Sequence, residues 1–92
     1  MFEFDPDKSA ANKSKHGIDF IAAQALWRGV TVTASSSRLP QEEDRLIVVG
    51  RIDGKTWVAI VTQRGTAVRI ISVRRARRQE GRLYEQTQQN QG

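Results

Sequence analysis

The N-terminal stretch is poor in apolar residues, and its polar residues mark the bounds of the first elements. Residues 2–4 alternate phenylalanine and glutamate like a short strand. Asp5 and Pro6 predict a helix over residues 6–15, because aspartate caps a helix N-terminus and proline suits the first helical position. Gly17 predicts the end of that helix, since glycine adopts the left-handed conformation found there.

Periodic apolar positions resume after this first helix. Asp19 is placed to cap a second helix over residues 20–27, in which apolar residues recur at helical spacing up to Trp27. Residues 30–34 alternate valine and threonine like a strand. The polar, proline-broken residues 35–40 predict a mobile loop.

The apolar pattern changes to that of strands in the second half of the chain. Strands are predicted over residues 45–53 and 55–62, because Asp53-Gly54 favours the tight turn of a hairpin. A second turn is predicted at residues 63–65 and a third strand over residues 66–73. The three strands predict an antiparallel meander with one apolar face that helices must cover.

The last periodic segment predicts a helix over residues 74–86, followed by a polar tail at 87–92 that we expect to be disordered. One stripe of this helix is formed by Ala76, Glu80, Leu83 and Tyr84. The whole pattern predicts a single α+β domain over residues 1–86, with two N-terminal helices, an antiparallel β-sheet meander and a C-terminal helix.

Glu80 interrupts the apolar stripe of that last helix. A buried carboxylate is costly unless it is paired, so we predict that Glu80 orients guanidinium groups from the sheet. The alternative is that Glu80 lies at the solvated edge of the stripe, since glutamate is seldom fully buried.

Charge is concentrated near the C-terminus. The 92-residue chain has a net charge of +5, and residues 69–82 alone hold six arginines and one glutamate. Such a patch suits a polyanionic partner. A solvated helix face that keeps a small protein in solution is the alternative interpretation.

Composition excludes several kinds of chemistry. The chain has no cysteine and one histidine, so a thiolate nucleophile, a disulfide framework and a zinc site are not expected. No phosphate-binding glycine loop or Ser-centred catalytic motif is present. No signal peptide or membrane-length apolar run is evident, so we expect a cytoplasmic protein.

Arginine suits the chemistry that remains. Its planar fork of donors binds phosphate and stays charged at any working pH, so clustered arginines can stabilise a scissile phosphate in the transition state. RNA cleavage needs no metal, because the 2′-hydroxyl is an internal nucleophile. Arg64, in a predicted turn, and Arg69, inside a predicted strand, are the strongest candidates. For Arg69 the alternative is an ion pair with a neighbouring carboxylate.

A proton acceptor would assist that reaction. The candidates are Lys15, His16, Glu42, Glu43 and Tyr84. Lys15 and His16 also have a structural explanation, because cations at the C-terminus of a helix oppose its dipole.

An ordered set of residues along nearly the whole chain is similar to one known protein family. Its first part comprises Phe2, Glu3, Phe4, Asp5, Pro6, Lys8, Asn12, Lys15, His16, Gly17, Ile18 and Phe20. Its second part comprises Glu43, Asp44, Arg45, Gly50, Arg64, Gly65, Arg69, Ile70, Ile71, Ser72, Arg74, Ala76, Glu80 and Tyr84. In this order the residues resemble the BrnT toxins.

The resemblance implies a RelE-like fold and a type II toxin that cleaves RNA without a metal or cofactor. It also implies a BrnA-like ribbon-helix-helix antitoxin, through which the pair would bind operator DNA. Arg28-Gly29 and Gln63 depart from the family pattern, which commonly has an acidic residue and proline at the first place and glutamate at the second. The missing carboxylate would either free Arg64 for phosphate or remove a proton acceptor.

We therefore expect an endoribonuclease with an arginine-rich site. The predicted catalytic set comprises Arg64, Arg69 and Arg74 on the scissile phosphate, Lys15 or His16 for positioning or proton transfer, and Glu43 and Arg45 as further candidates. Predicted RNA-docking residues, spread around the last helix, are Arg75, Arg77, Arg78 and Arg82, with Glu80 and Tyr84 in support. The alternative is a non-enzymatic module that binds RNA, or that binds the antitoxin as a co-repressor subunit.

Overall fold

Helices and a mixed sheet make up residues 1–35 and 45–90, which are the residues that the computed structural model describes. The elements are β1 Phe2–Glu3, α1 Pro6–His16, α2 Phe20–Ala23, a 3₁₀ helix Gln24–Arg28, β2 Val32–Ser35, β3 Arg45–Ile52, β4 Lys55–Arg64, β5 Ala67–Arg75 and α3 Arg78–Asn90. The chain is therefore α+β, as predicted. Apart from Ser35, which ends β2, the loop predicted over residues 35–40 lies outside the described residues.

The predicted helix boundaries at the N-terminus are confirmed. The Asp5 carboxylate caps α1 by accepting a hydrogen bond of 2.8 Å from the backbone N–H of Asp7. Gly17 follows α1 with a φ of 83°, the left-handed conformation that glycine adopts without strain. Asp19 caps α2 by accepting from the backbone of Ala22 at 2.7 Å.

The second predicted helix is α-helical only at its start and continues as the 3₁₀ helix Gln24–Arg28. This tighter winding buries Leu26 fully, while Trp27 is half-buried with its ring centroid 4.8 Å from that of Phe2. Leu26 packs closely on Gly50 of β3, where a Cβ would lie 2.9 Å from the Leu26 Cδ2 atom. The helical spacing predicted that Trp27 faces the core, and Trp27 does pack against it; the fully buried Leu26 was not predicted.

The sheet has the strand order β1-β5-β4-β3-β2. Strands β2 to β5 are antiparallel neighbours in chain order, which confirms the meander that was predicted for the last three of them. The sheet as a whole is mixed, because β1 pairs parallel with β5, with Phe2 opposite Val68 and Glu3 opposite Arg69. The prediction of an antiparallel sheet was therefore wrong for β1, which is a parallel strand.

The first predicted turn is confirmed and the second is displaced. Asp53 and Gly54 have φ values of 51° and 77°, the left-handed pair that a tight hairpin turn requires. At the second turn, β4 continues through Arg64, which pairs with Ala67 of β5. Arg64 therefore ends a strand and does not lie in the turn, which begins at Gly65.

The predicted start of the last helix is wrong. Arg74 pairs with Val58 and Arg75 with Trp57, so both arginines belong to β5, and α3 starts at Arg78. Cross-strand pairing beside the fully buried Val58 outweighs the local preference for helix in this arginine-rich stretch.

The predicted stripe of the last helix is wrong at Leu83 and is confirmed at Ala76, Glu80 and Tyr84 as the side that faces the sheet. Tyr84 is buried, whereas Leu83 is 47% exposed and Ala76 precedes the helix. Ala76 nevertheless packs against the cluster of Val49, Val58 and Tyr84, and Glu80 is 21% exposed beside Arg74.

Each face of the sheet packs against helices. Residues of α2, the link before it, the 3₁₀ helix and the sheet form the larger core: Ile18, Phe20, Ala23, Leu26, Val48, Trp57, Ala59, Val61, Ile70 and Val73. The opposite face contributes Val49 and Val58, which pack with Tyr84 of α3. One face is therefore covered by the N-terminal helices and part of the other by α3.

Asn12 attaches α1 to the edge of β5. Its amide nitrogen donates to the carbonyl oxygens of Ile18 and Val73 at 2.8 and 2.9 Å, and its amide oxygen accepts from the Val73 N–H at 3.2 Å. The short strand β1 ends opposite Arg69 and does not reach Val73. The Asn12 side chain therefore makes the hydrogen bonds to the Val73 backbone that a neighbouring strand would otherwise make.

Replacing Asn12 with alanine removes these three buried hydrogen bonds and leaves backbone groups of Val73 without a partner. We expect Asn12→Ala to lower the free energy of unfolding by about 2–4 kcal/mol, measured by urea denaturation. Ser14→Ala, on the exposed side of the same helix, is the matched control and should change it by less than about 0.5 kcal/mol. Equal effects of the two substitutions would contradict this role for Asn12.

Candidate nucleic-acid interface

A row of polar side chains crosses four strands of the sheet. Arg45 of β3 pairs with Thr62 of β4, Thr62 pairs with Arg69 of β5, and Arg69 is opposite Glu3 of β1. Because directly paired residues project to the same side of a sheet, these four side chains share one face. It is the face opposite the larger core, since the adjacent residues Val61 and Ile70 belong to that core.

Two further arginines, of β4 and β5, project from the same face, and Arg51 of β3 also does so at the end near Tyr84, 5.4 Å from the centroid of its ring. Side chains an even number of residues apart on a strand project to the same side. Arg64 is two residues after Thr62 on β4, and Arg74 pairs with Val58, which is four residues before Thr62. We call this side of the sheet, bearing Arg45, Arg64, Arg69 and Arg74, the arginine face. The strands therefore bring together four arginines that are distant in sequence.

α3 covers one end of the arginine face. Tyr84 packs there against Val49 and Val58, and its hydroxyl donates to the Val30 carbonyl oxygen at 3.0 Å. Beyond this end, the side chains of Arg69 and Arg64 are 33% and 54% exposed. Both side chains are therefore accessible from solvent.

Glu3 lies between two of these arginines. Its Oε1 atom is 3.8 Å from Nη1 of Arg69 and 3.9 Å from Nε of Arg64. Both distances are too long for hydrogen bonds, so the attraction is Coulombic. The ion pair that was the alternative interpretation of Arg69 is present in the structure.

Sequence reasoning did not select Glu3 as a functional residue. Its position depends on the parallel pairing of a two-residue strand with the distant β5, and a segment so short has no period from which its neighbours can be inferred. The only available signal was Glu3 itself, a charged residue between two phenylalanines.

Arg74 and Glu80 form the tightest ion pair on this face. The two terminal nitrogens of Arg74 donate to the two carboxylate oxygens of Glu80 at 2.8 and 2.7 Å, and both side chains are 21% exposed. Glu80 also accepts from the backbone N–H of Arg77 at 2.7 Å, which satisfies a free donor at the start of α3. The prediction that Glu80 orients a guanidinium from the sheet is confirmed.

This pair also perturbs the titration of both groups. The hydrogen bonds from Arg74 lower the pKa of Glu80 below its usual value of 4.5, against a smaller opposing effect of burial. The same hydrogen bonds raise the pKa of Arg74. The pair therefore stays ionised at neutral pH and fixes α3 to the sheet.

The remaining arginines do not share one location. Arg75 lies on the opposite face, 5.4 Å above the ring of Trp57. Arg77 is in the linker before α3, and only Arg78 and Arg82 belong to the helix on which all were predicted. All four are exposed at the surface.

The predicted proton-transfer candidates are not assembled at the arginine face. Lys15 and His16 are in the last turn of α1, and within residues 1–35 and 45–90 neither forms an ion pair or a side-chain hydrogen bond. The hydroxyl of Tyr84 is occupied by a backbone carbonyl. Glu42 and Glu43 lie outside the described residues.

Replacing Glu80 with glutamine tests the ion pair. Because the pKa of Glu80 is lowered on folding, its stabilisation is full above about pH 4.5 and is lost as the pH falls through the lowered value. We expect Glu80→Gln to cost about 2 kcal/mol of unfolding free energy at neutral pH, and this difference from the unsubstituted chain to shrink on acidification.

Urea denaturation at a series of pH values measures both effects. Glu85→Gln is the control, because Glu85 also pairs with an arginine, at 3.1 Å from Arg51, but is 61% exposed. Exposed pairs contribute about 0–1 kcal/mol. A cost for Glu80→Gln that does not change with pH would contradict our assignment.

No helix among the described residues has the length and apolar character needed to cross a bilayer.

Comparison with known proteins places the chain in a family. A search of curated proteins found no match. The family model of the ribonuclease toxin BrnT, of type II toxin-antitoxin systems, matches residues 4–80, which include Arg64, Arg69 and Arg74. The match covers most of the chain, and the protein therefore belongs to the BrnT family of ribonuclease toxins, whose type II systems each include an antitoxin partner.

Proposed function

We propose that this chain is an active endoribonuclease that cleaves RNA on the arginine face and so inhibits translation and growth. The observation that carries the proposal is the convergence of Arg45, Arg64 and Arg69 from three strands onto the part of the sheet beyond α3. Three guanidinium groups on one accessible face suit a phosphodiester and its flanking phosphates.

Arg64 and Arg69 are the proposed phosphate-binding residues. Both already attract one anionic oxygen, that of Glu3, so the two groups converge on a common point at the surface. A phosphate held there would lose much of its negative charge to them, and the charge that develops as the 2′-oxygen attacks phosphorus would be stabilised. No metal ion is needed for this step, because the nucleophile belongs to the substrate.

The other predicted residues have supporting roles in this proposal. Arg74 borders the site, but its terminal nitrogens are engaged by Glu80, so we assign it to positioning and to attraction of the phosphate chain. Arg45 would bind a neighbouring phosphate. Lys15, His16 and Glu43 have no assigned step in this proposal, because Lys15 and His16 lie in the last turn of α1 and Glu43 is outside the described residues.

Arginines outside the site would draw RNA towards the protein. Arg75, Arg77, Arg78 and Arg82 are exposed and surround the start of α3 and the end of β5. Each phosphate contact of this kind makes binding more sensitive to salt and adds little sequence preference.

The proposed setting is that of a toxin and its inhibitor. Family membership supports a cognate BrnA-like ribbon-helix-helix antitoxin that neutralises the toxin and carries the pair to operator DNA. It also supports a RelE-like arrangement of the sheet and helices. A toxin whose substrate is cellular RNA would act in the cytoplasm, where that RNA is translated.

The test is cleavage of RNA by the purified chain in excess EDTA. We expect cleavage with products ending in a 2′,3′-cyclic phosphate, and we expect Arg69→Ala to be slower by about 100-fold or more, since a preorganised donor to the transition state is lost. Arg28→Ala is the matched control, because it removes the same charge at the exposed end of the 3₁₀ helix, away from the arginine face.

Two results would overturn the proposal. One is RNA that stays intact with the unsubstituted chain while binding weakens steeply with salt, which would favour a non-enzymatic binding module. The other is equal cleavage by Arg69→Ala and Arg28→Ala, which would remove the arginine face as the site.

A further inference from the structure

Glu3 differs from the other carboxylates described near the arginine face in its hydrogen bonding. Glu80 accepts three hydrogen bonds from Arg74 and Arg77, and Glu85 accepts one from Arg51. Among the described residues on this face, Glu3 is the carboxylate that accepts no hydrogen bond. Both of its oxygens therefore keep their capacity to accept a proton from a bound molecule.

The position of Glu3 is fixed although its side chain is accessible. Its backbone is held opposite Arg69 by the pairing of β1 with β5, and the N–H of Val68 donates to the Met1 carbonyl oxygen at 2.9 Å beside it. Its side chain is 40% exposed, so a substrate can reach the carboxylate from solvent. A group that is held by the sheet and open to solvent has the placement that proton transfer requires.

We propose that Glu3 is the catalytic base of the reaction, a role that rests on the proposed function. A phosphate bound by Arg64 and Arg69 would lie next to the Glu3 carboxylate, since one carboxylate oxygen is within 4 Å of both guanidinium groups. The 2′-hydroxyl of the preceding ribose is adjacent to that phosphate in RNA. Glu3 is therefore within reach of the proton that must be removed.

The proposed step conserves atoms and charge. Glu3 takes the proton of the 2′-hydroxyl while the 2′-oxygen forms a bond to phosphorus, and the bond from phosphorus to the 5′-oxygen breaks. The departing 5′-oxygen takes a proton from water, and Glu3 returns its proton to solvent. The products are a 2′,3′-cyclic phosphate and a 5′-hydroxyl, with no oxidant, reductant or metal involved.

A purely positioning role for Glu3 makes different predictions. Removing a carboxylate that only orders Arg64 and Arg69 would weaken substrate binding and raise KM. Removing a base that is also an anion beside two arginines would lower kcat, while KM stays unchanged or falls because the site becomes more positive. A base also gives the rate an acidic limb as it is protonated, and this limb is lost with the base.

The experiment compares variants of the full chain on an RNA oligonucleotide in EDTA. We expect Glu3→Gln to lower kcat by about 100-fold or more without raising KM, and to abolish the acidic limb of the pH profile. Glu3→Asp keeps a carboxylate and should restore part of the rate together with that limb. Glu85→Gln removes a carboxylate that pairs with Arg51 and should leave cleavage within about twofold of the unsubstituted chain.

Other outcomes are decisive as well. The base assignment is overturned if Glu3→Gln cleaves at the original rate. It is also overturned if this variant cleaves more slowly with a higher KM and keeps the acidic limb. In both cases the proposal that cleavage occurs on the arginine face stands. Absence of cleavage by the unsubstituted chain removes the proposed function and this role with it. Circular dichroism checks the fold, and if Glu3→Gln does not fold, a cleavage rate of the unsubstituted chain that shows no acidic limb would still overturn the assignment.

Discussion

The pairing of β5 on both of its edges is the constraint on which the rest of the structure depends. One edge is paired with β4 on both sides of an irregularity at Ile71, and the other is shared by β1 and the side chain of Asn12. This arrangement holds the N-terminal segment beside the middle of the C-terminal half. It also places Glu3 next to Arg69 and leaves Arg74 opposite Val58, where Glu80 can reach it. Core, helix attachment and candidate site therefore meet on one strand.

Elements with local causes were predictable from the sequence. Asp5, Gly17 and Asp19 act within their own helices, and Asp53-Gly54 defines a hairpin turn, so each signal and its effect are only a few residues apart. The end of β5 was not predictable in this way, because residues 74–75 have the local character of a helix and are strand only through Val58 and Trp57. Pairing over a long distance in sequence outweighed local preference there.

In the candidate site, too, features with local causes were predictable and features set by long-range strand pairing were not. Composition and pattern identified the arginines, and they placed Arg69 in a strand and Glu80 beside a guanidinium from the sheet, both of which the structure confirms. They could not give the register that places Arg45, Thr62, Arg69 and Glu3 in one row. Register follows from turn positions, and the displacement of the second turn by a residue or two changes which side chains share a face.

The location of the arginine face follows from the small size of the chain. A sheet needs apolar cover where its side chains are apolar, and Tyr84 of α3 supplies it over Val49 and Val58, with Val32, Ile47 and Ala76 at the edge of this cluster. Beyond α3 the face bears a row of arginine, threonine and glutamate side chains, most of which keep contact with water and need no apolar cover. Two of the carboxylates described at this face, Glu80 and Glu3, differ accordingly. Glu80, in the first turn of α3, accepts from three donors and stabilises the fold. Glu3, beyond the helix, attracts two arginines from 3.8 and 3.9 Å and remains accessible to a substrate. The sheet therefore fixes the backbone of charged residues just beyond the cluster of Val49, Val58 and Tyr84. Their side chains are not all engaged in stabilising the fold there, so they can contact a substrate.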